Sequence, residues 1–380
     1  MESNGSQVWI RLVSREERLD CDGSPLILKE VEAKPLGLDD WLNFKGGDGL
    51  PVKIRGQVAQ GTDQRNPTYP PIGNTAEIEL TIDPVMENEC ICLVAGGWVP
   101  LLYQLGSANI FVDRNIVSEI NTRFVGGELK AAKGVKRDFL EFLSDANCTS
   151  TLNTLPYALE GNQAKIPNLD VVSAQFDYAI QTINRALPKS KVWPSSNFDR
   201  NQAQLLIDAY REYFERGMSF LKNVAPLLES TPSKARRVSV WGSLFAFADA
   251  VGISRQHICV LASLSVVSAD QGFNPAKKII KPKKHYEDRD AYNAMYDLFL
   301  LFLLNTFHFE HPESKSALLT RDKNLAMFWM GMTMRETQDG IGGKSKEVLF
   351  HPKLLSLDSE EIRFLQSQLG KENLRAEFHV

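Results

Sequence analysis

Two short apolar runs, about two hundred residues apart, each close on an aspartate: Ile110-Phe111-Val112 runs into Asp113, and Ala317-Leu318-Leu319-Thr320 runs through Arg321 into Asp322. Both are too short for a helix, and an amphipathic stretch follows each. A buried parallel strand reads this way when it delivers an acid at its carboxyl end. In open α/β sheets, ligands bind outside the carboxyl ends of the strands, so two such strands side by side aim both carboxylates into one crevice. Converging carboxylates repel each other and are best satisfied by a hard divalent cation.

The rest of the pattern divides the chain. Over residues 1–84, Val8 to Val13, Leu26 to Leu28, Val52 to Ile54 and Ala76 to Ile82 read as strands. Gly46 to Gly49 and Asn66 to Pro71 read as loops, which together predict a small β-rich module. The mixed segment Cys90 to Leu105, broken at Gly96-Gly97 and Pro100, reads as a connector to the first acidic strand. Ile116, Val117 and Ile120 predict a short amphipathic helix, and Val135 to Leu143 another. Residues 170–270 are helical in spacing, as in Leu206, Ala209, Tyr210, Tyr213 and Phe214, or Val240, Leu244, Phe247 and Val251. An apolar helix from 290 to about 307 precedes the second acidic strand, and a helix from 323 to 334 follows it. Asp358 and Glu361 are spaced as a capping box for a last helix that Gly370 would stop.

Length and composition narrow the class. A chain of 380 residues exceeds one simple core, and 43% hydrophobic with 24% charged residues is ordinary for a globular protein. The net charge of −4 argues against a globally basic nucleic-acid binder and leaves local patches open. The first residues carry no basic and apolar leader, no apolar run is long enough for a bilayer, and five scattered cysteines suit a reducing compartment. The expectation is a cytoplasmic protein without a membrane partner.

Two further acids stand out. Glu160 ends an apolar stretch just before Gly161, and Asp297 lies within the most apolar helical segment, Asn293 to Phe302. A carboxylate on a helix that must be largely buried is costly unless it is paired or binds a cation. The order Ile-Phe-Val-Asp-Arg-Asn at Asp113, Glu-Gly at Glu160, Asn-Ala-Met-Tyr-Asp-Leu at Asp297 and Leu-Leu-Thr-Arg-Asp-Lys at Asp322 resembles the PIN-domain nucleases. The resemblance covers roughly residues 107–165 and 285–335. It implies a three-layer α/β sandwich around a central, mainly parallel sheet, with Asp113, Glu160, Asp297 and Asp322 as catalytic and metal-ligating acids for Mg²⁺ or Mn²⁺. Asn115 and Thr320 would support those ligands from behind. Compact members of that family keep the second and third acids within one short helical stretch. Here more than a hundred residues separate Glu160 from Asp297, which demands a helical insertion.

The expected organisation is therefore a β-rich module over 1–84, the first part of a PIN-like domain over 85–169, a helical insertion over 170–284, the second part over 285–340 and a helical tail over 341–380. Lys277, Lys278, Lys281, Lys283 and Lys284 form a basic loop just before the helix of Asp297 and are candidates for phosphate-backbone contact. Tyr286 and Tyr292 beside it would stack bases or fill the core.

Other signals weaken on inspection. Gly340 to Ser345 lacks the first glycine and the preceding strand of a phosphate-binding loop, His308 and His311 lack further ligands, and Cys90 with Cys92 lacks a partner pair. The reading is a metal-dependent endoribonuclease whose partner is nucleic acid, RNA before DNA, in a toxin or defence setting, with the N-terminal module open to a partner protein. The rivals are a PIN-like binding module without hydrolysis, and a helical scaffold whose acids merely cap helices.

Overall fold

The computed structural model describes residues 10–12, 26–44, 50–60, 71–82, 90–99, 108–125, 128–130, 143–144, 150–161, 164–195, 200–270, 272–312, 314–338 and 344–369. Alternation builds the N-terminal sheet. In β3 (Leu50–Gln60), Leu50, Val52, Ile54 and Val58 are buried while Lys53 and Arg55 face water, the period of two that a half-covered strand requires. With β1 (Ile10–Leu12), β2 (Leu26–Ala33) and β4 (Thr75–Ile82) it forms an antiparallel sheet in the order β1-β2-β3-β4. A short helix α1 (Leu38–Asn43) follows β2. The loops expected at 46–49 and 66–70 lie outside the described residues.

The second sheet is mixed, mostly parallel, and it positions the acids. It contains β5 (Ile91–Val94), β6 (Gly97–Val99), β7 (Ala108–Val112), β10 (Thr151–Asn153), β11 (Lys191–Trp193) and β12 (Lys315–Thr320). A two-stranded pair, β8 (Phe124–Val125) and β9 (Glu128–Leu129), lies apart from it. The strand order is β11-β10-β7-β12-β5-β6. The two acidic strands are parallel neighbours, with Ile110 opposite Ala317 and Val112 opposite Leu319. Side chains alternate between two cores. Ile110, Val112, Ala317 and Leu319 pack with Ile116, Val117 and Ile120 of α2 (Arg114–Arg123) and with Ala179 and Ile183 of α4 (Leu169–Ala186). Phe111 and Leu318 face the other core, where Phe111 meets Phe307 edge to face at 4.8 Å.

The segment 90–99 corrects the expected connector. Ile91 to Val94 is a buried apolar run, Gly96 and Gly97 adopt positive φ (78° and 154°), and Trp98-Val99 returns alongside it. This hairpin pairs antiparallel with β12 and extends the sheet. The start of the expected insertion also moves. α4 covers the sheet and β11 is its edge strand, so residues 169–193 belong to the sheet layers.

Beyond them lies the helical mass: α5 (Arg200–Leu228), α6 (Arg237–Val251), α7 (Ile258–Ser268), α8 (Pro275–Ile280) and α9 (Asp288–Glu310). Every residue of α7 is buried, so its serines turn inward for partners: Ser263 bonds the Cys259 carbonyl and Ser265 that of Leu354. The helix after Asp322, α10 (Lys323–Met330), stops at Gly331 rather than reaching 334. A Cβ there would lie 2.4 Å from Leu354 Cδ1. The chain then forms a hairpin, β13 (Met332–Gln338) with β14 (Lys344–Phe350), where a helical continuation and a tail had been expected. The last helix, α11 (Ser359–Leu369), has its capping box: Glu361 accepts from the Asp358 amide at 2.9 Å and Asp358 from the Glu361 amide at 2.9 Å. Gly370 and nearly all of the helix expected over 135–143 lie outside the described residues. Among the described residues no helix is long and apolar enough to cross a membrane.

Candidate acidic site at the carboxyl edge of the sheet

Asp113 follows β7 and is the N-cap of α2. Its Oδ1 accepts from the Ile116 amide at 2.9 Å. It is 6% exposed, which makes it the most enclosed of the four candidate acids. Asp322 plays the same part after β12, where its Oδ1 accepts from the amides of Asn324 at 2.7 Å and Leu325 at 3.1 Å. Thr320, buried at the end of the strand, accepts from the Asp322 amide at 3.1 Å and sets the turn. Of the two residues expected to support the acids, Thr320 bonds the backbone amide of Asp322, and Asn115 is an exposed residue in the first turn of α2. Both aspartates are helix caps, and capping occupies one oxygen of each.

The other two acids arrive from the far side of the long helical segment. α3 (Leu155–Leu159) follows β10, and Glu160 is its C-cap. Asp297 sits within α9, nine residues past its first residue and not at its opening. Two tyrosines on α9 join these elements. The Tyr292 hydroxyl accepts from the Gly161 amide, and the Tyr296 hydroxyl donates to the Pro156 carbonyl. Gly161 is required by this approach, since a Cβ there would lie 2.3 Å from the Lys165 carbonyl oxygen and 3.1 Å from the Tyr292 hydroxyl.

The four carboxylates feel one another. Burial raises Asp113 to about 6 against the pull of its amide hydrogen bonds, and the Asp322 charge pushes the same way. Burial raises Asp297 to about 7, and Asp322, Glu160 and Asp113 all add to the rise while Lys281 opposes it. Glu160 is raised by burial and by Asp113, against Arg114. Such a set disfavours its own full ionisation and gains from a nearby cation.

The donor set suits a hard dication, being all carboxylate oxygen with threonine and asparagine behind it. As placed, however, no three acidic, histidine or cysteine side chains among the described residues are grouped tightly enough to hold one ion. Asp113 and Asp322 on adjacent strands are the pair that a Mg²⁺ ion, which keeps several waters, would use.

Arg114 stands beside the acids and was not singled out from the sequence. Its Nη2 donates to the Glu160 carbonyl at 2.7 Å, its Nε lies 3.5 Å from the Glu160 carboxylate, and its guanidinium stands 5.4 Å from the Tyr157 ring centre. The signal was present: a cation in the first turn of a helix opposes the helix dipole and needs another reason to be there. Glu119 is likewise engaged, 2.5 Å from Arg321 and 3.5 Å from Arg123.

The lysines do not form a single basic loop. Lys277 and Lys278 lie in α8, and Lys277 Nζ donates to the Glu229 carbonyl at 2.9 Å. Lys283 pairs with Asp290 at 2.8 Å. Lys281 ends α8 in the left-handed conformation (φ 50°) and is the lysine that acts on Asp297. Tyr286 and Tyr292 are buried with their hydroxyls engaged, which resolves their role as core. No family model, curated protein or solved structure matches the chain.

Proposed function

We propose that the chain is a metal-dependent nuclease of PIN-like organisation that hydrolyses phosphodiester bonds, with RNA as the favoured substrate. One observation carries the reading: Asp113 and Asp322 end adjacent parallel strands, and Asp297, raised chiefly by burial, is raised further by the charges of Asp322, Glu160 and Asp113. The two acidic strands, adjacent and parallel with helices on both faces, fit the three-layer sandwich that the resemblance implies. Asp113 and Asp322 would hold Mg²⁺ or Mn²⁺, with Glu160 and Asp297 completing the site. A bound dication there would polarise the phosphodiester and neutralise developing charge. The chain's own residues support the site: the Ile116 amide bonds Asp113, Thr320 accepts from the Asp322 amide, and Arg114 pairs with Glu160. Lys281, exposed beside the acids, supports backbone contact with a polyanion.

A second reading, a PIN-like module that binds nucleic acid without cutting it, is favoured by the same Arg114–Glu160 pair and by the two capping aspartates. Labelled single-stranded RNA, structured RNA and DNA incubated with wild type and Asp113→Asn separate the two. The nuclease predicts cleavage by wild type alone, dependent on Mg²⁺ or Mn²⁺ and stopped by chelator. Binding without cleavage would establish the module instead.

A further inference from the structure

A cavity of about 440 Å³ lies away from the acids, between α5, the N-terminal end of α7, α9 and the β13–β14 hairpin. Its wall is a column of rings. Phe302 stacks on Tyr213 at 4.0 Å, and Tyr213 stacks on His257 at 3.9 Å. His257 is fixed as a neutral ring: Nδ1 accepts from the Cys259 amide at 3.2 Å, so Nε2 carries the proton and donates to the Tyr213 carbonyl at 3.2 Å. Burial lowers its pKa to about 4, in keeping with that assignment.

Two carboxamides around the cavity, those of Gln256 and Asn305, make no hydrogen bond to another described residue. Arg216 at the rim donates to the Gly252 carbonyl at 2.7 Å and pairs with Glu212, so it presents no spare charge. Asn305, on α9 and 7% exposed, lines the cavity, and its carboxamide makes no hydrogen bond to another described residue. A carboxamide that water reaches in an open cavity can exchange that water for a ligand's donor and acceptor.

We propose that this cavity binds a neutral, nucleobase-bearing ligand of nucleoside size. The volume is within the usual range for small-molecule sites. A flat heteroaromatic ring extends the Phe302–Tyr213–His257 column, and the Asn305 carboxamide matches the adjacent donor and acceptor on a base edge. Phosphate is disfavoured because His257 is neutral and Arg216 is already paired.

The site also has a structural link to the acids. Asn305 and Asp297 lie on the same helix, about 12 Å apart along its axis at the usual rise. A ligand that bridges α9 to α5 and β13 would brace the helix that presents Asp297. This regulatory consequence rests on the nuclease reading; the binding site does not.

Isothermal titration of the full chain with adenosine, guanosine, cytidine and uridine, without metal, tests the site. At least one should bind with Kd below about 1 mM. Asn305→Leu should weaken it tenfold or more. Ala209→Trp, a change at an exposed position on the cavity rim, should block it while leaving the core intact. Asp113→Asn should bind as wild type does. Hydrogen exchange over residues 288–310 should slow on binding. No binding of any of the four, or binding indifferent to both Asn305→Leu and Ala209→Trp, overturns the proposal. Nucleoside binding by a protein that cleaves nothing would leave the cavity standing and remove the nuclease.

Discussion

The Gly161 amide donates to the Tyr292 hydroxyl across 131 residues of sequence, and this bond sets Glu160 beside the helix of Asp297. Tyr292 is buried, and burial pushes its hydroxyl up to about 12, so it stays a neutral partner at any working pH. Tyr292→Phe keeps the ring and removes the acceptor. Urea unfolding should show a loss of about 1–2 kcal/mol, and cleavage should fall with it because Glu160 is released. Unchanged stability and unchanged cleavage would show that the tie is incidental.

Gly161→Ala should be the harsher change. Its Cβ meets the backbone oxygen of Lys165, which cannot swing aside as a side chain would. Loss of activity with retained far-ultraviolet circular dichroism would place the damage locally at Glu160. Wild-type activity in this variant would mean that the 160–165 turn relaxes freely.

The raised acids predict how stability varies with pH. Asp297 at about 7 and Asp113 at about 6 both lie above their ordinary value of 3.8, so the fold favours their protonated forms. That contribution is fully present below about pH 4 and is lost as pH rises through 6 to 7. Without metal, Asp297→Asn should therefore match wild type near pH 4 and exceed it at pH 8 by on the order of 2 kcal/mol. Chemical denaturation at the two pH values is the measurement, and a variant less stable than wild type at pH 8 contradicts the assignment.

Dication binding should show the opposite slope. Mg²⁺ or Mn²⁺ must displace protons from these acids, so metal should raise Tm more at pH 8 than at pH 5, by about 2 °C or more at saturating metal. The shift should vanish in Asp322→Asn. A shift of equal size in wild type and Asp322→Asn would place the cation elsewhere.

Charge reversal separates the lysines. Lys281→Glu should raise Asp297 further and weaken nucleic-acid binding with a shallower salt dependence, whereas Lys283→Glu should chiefly lose its pair with Asp290. Equal effects on binding and on its salt slope would restore the single basic patch that the sequence suggested.

The two adjacent strands and their capping aspartates were legible from the chain, because strand-then-aspartate is a local pattern. Val112-Asp113 and Thr320-Arg321-Asp322 each specify a strand, a turn and a capped helix within a few residues. Asp297 was legible as a charge in an apolar helix. The part played by β5 and β6 was not, because a four-residue strand and a three-residue strand joined through Gly96-Gly97 leave too little periodicity to weigh against a loop. The glycine pair was itself the hairpin signal. Helix α10 was read too far for a different reason: Met332 and Met334 continue an apolar rhythm, and the close approach of Leu354 that requires glycine at 331 comes from more than twenty residues downstream.

The strand order has a consequence for how the molecule comes into being. β12 is the last strand of its sheet to be synthesised, yet it lies between β7 and β5, both made some two hundred residues earlier. Until residue 320 has left the ribosome, the sheet exists as two halves with bare edges facing each other, and the nascent chain holds Asp113 and Glu160 without Asp322. A chain interrupted before that point is sticky, since unpaired apolar edges invite pairing with other chains. Completion of the sheet and the pairing of the strands that end on Asp113 and Asp322 are one event, and any chaperone that serves this protein has to shield the gap that β12 will fill.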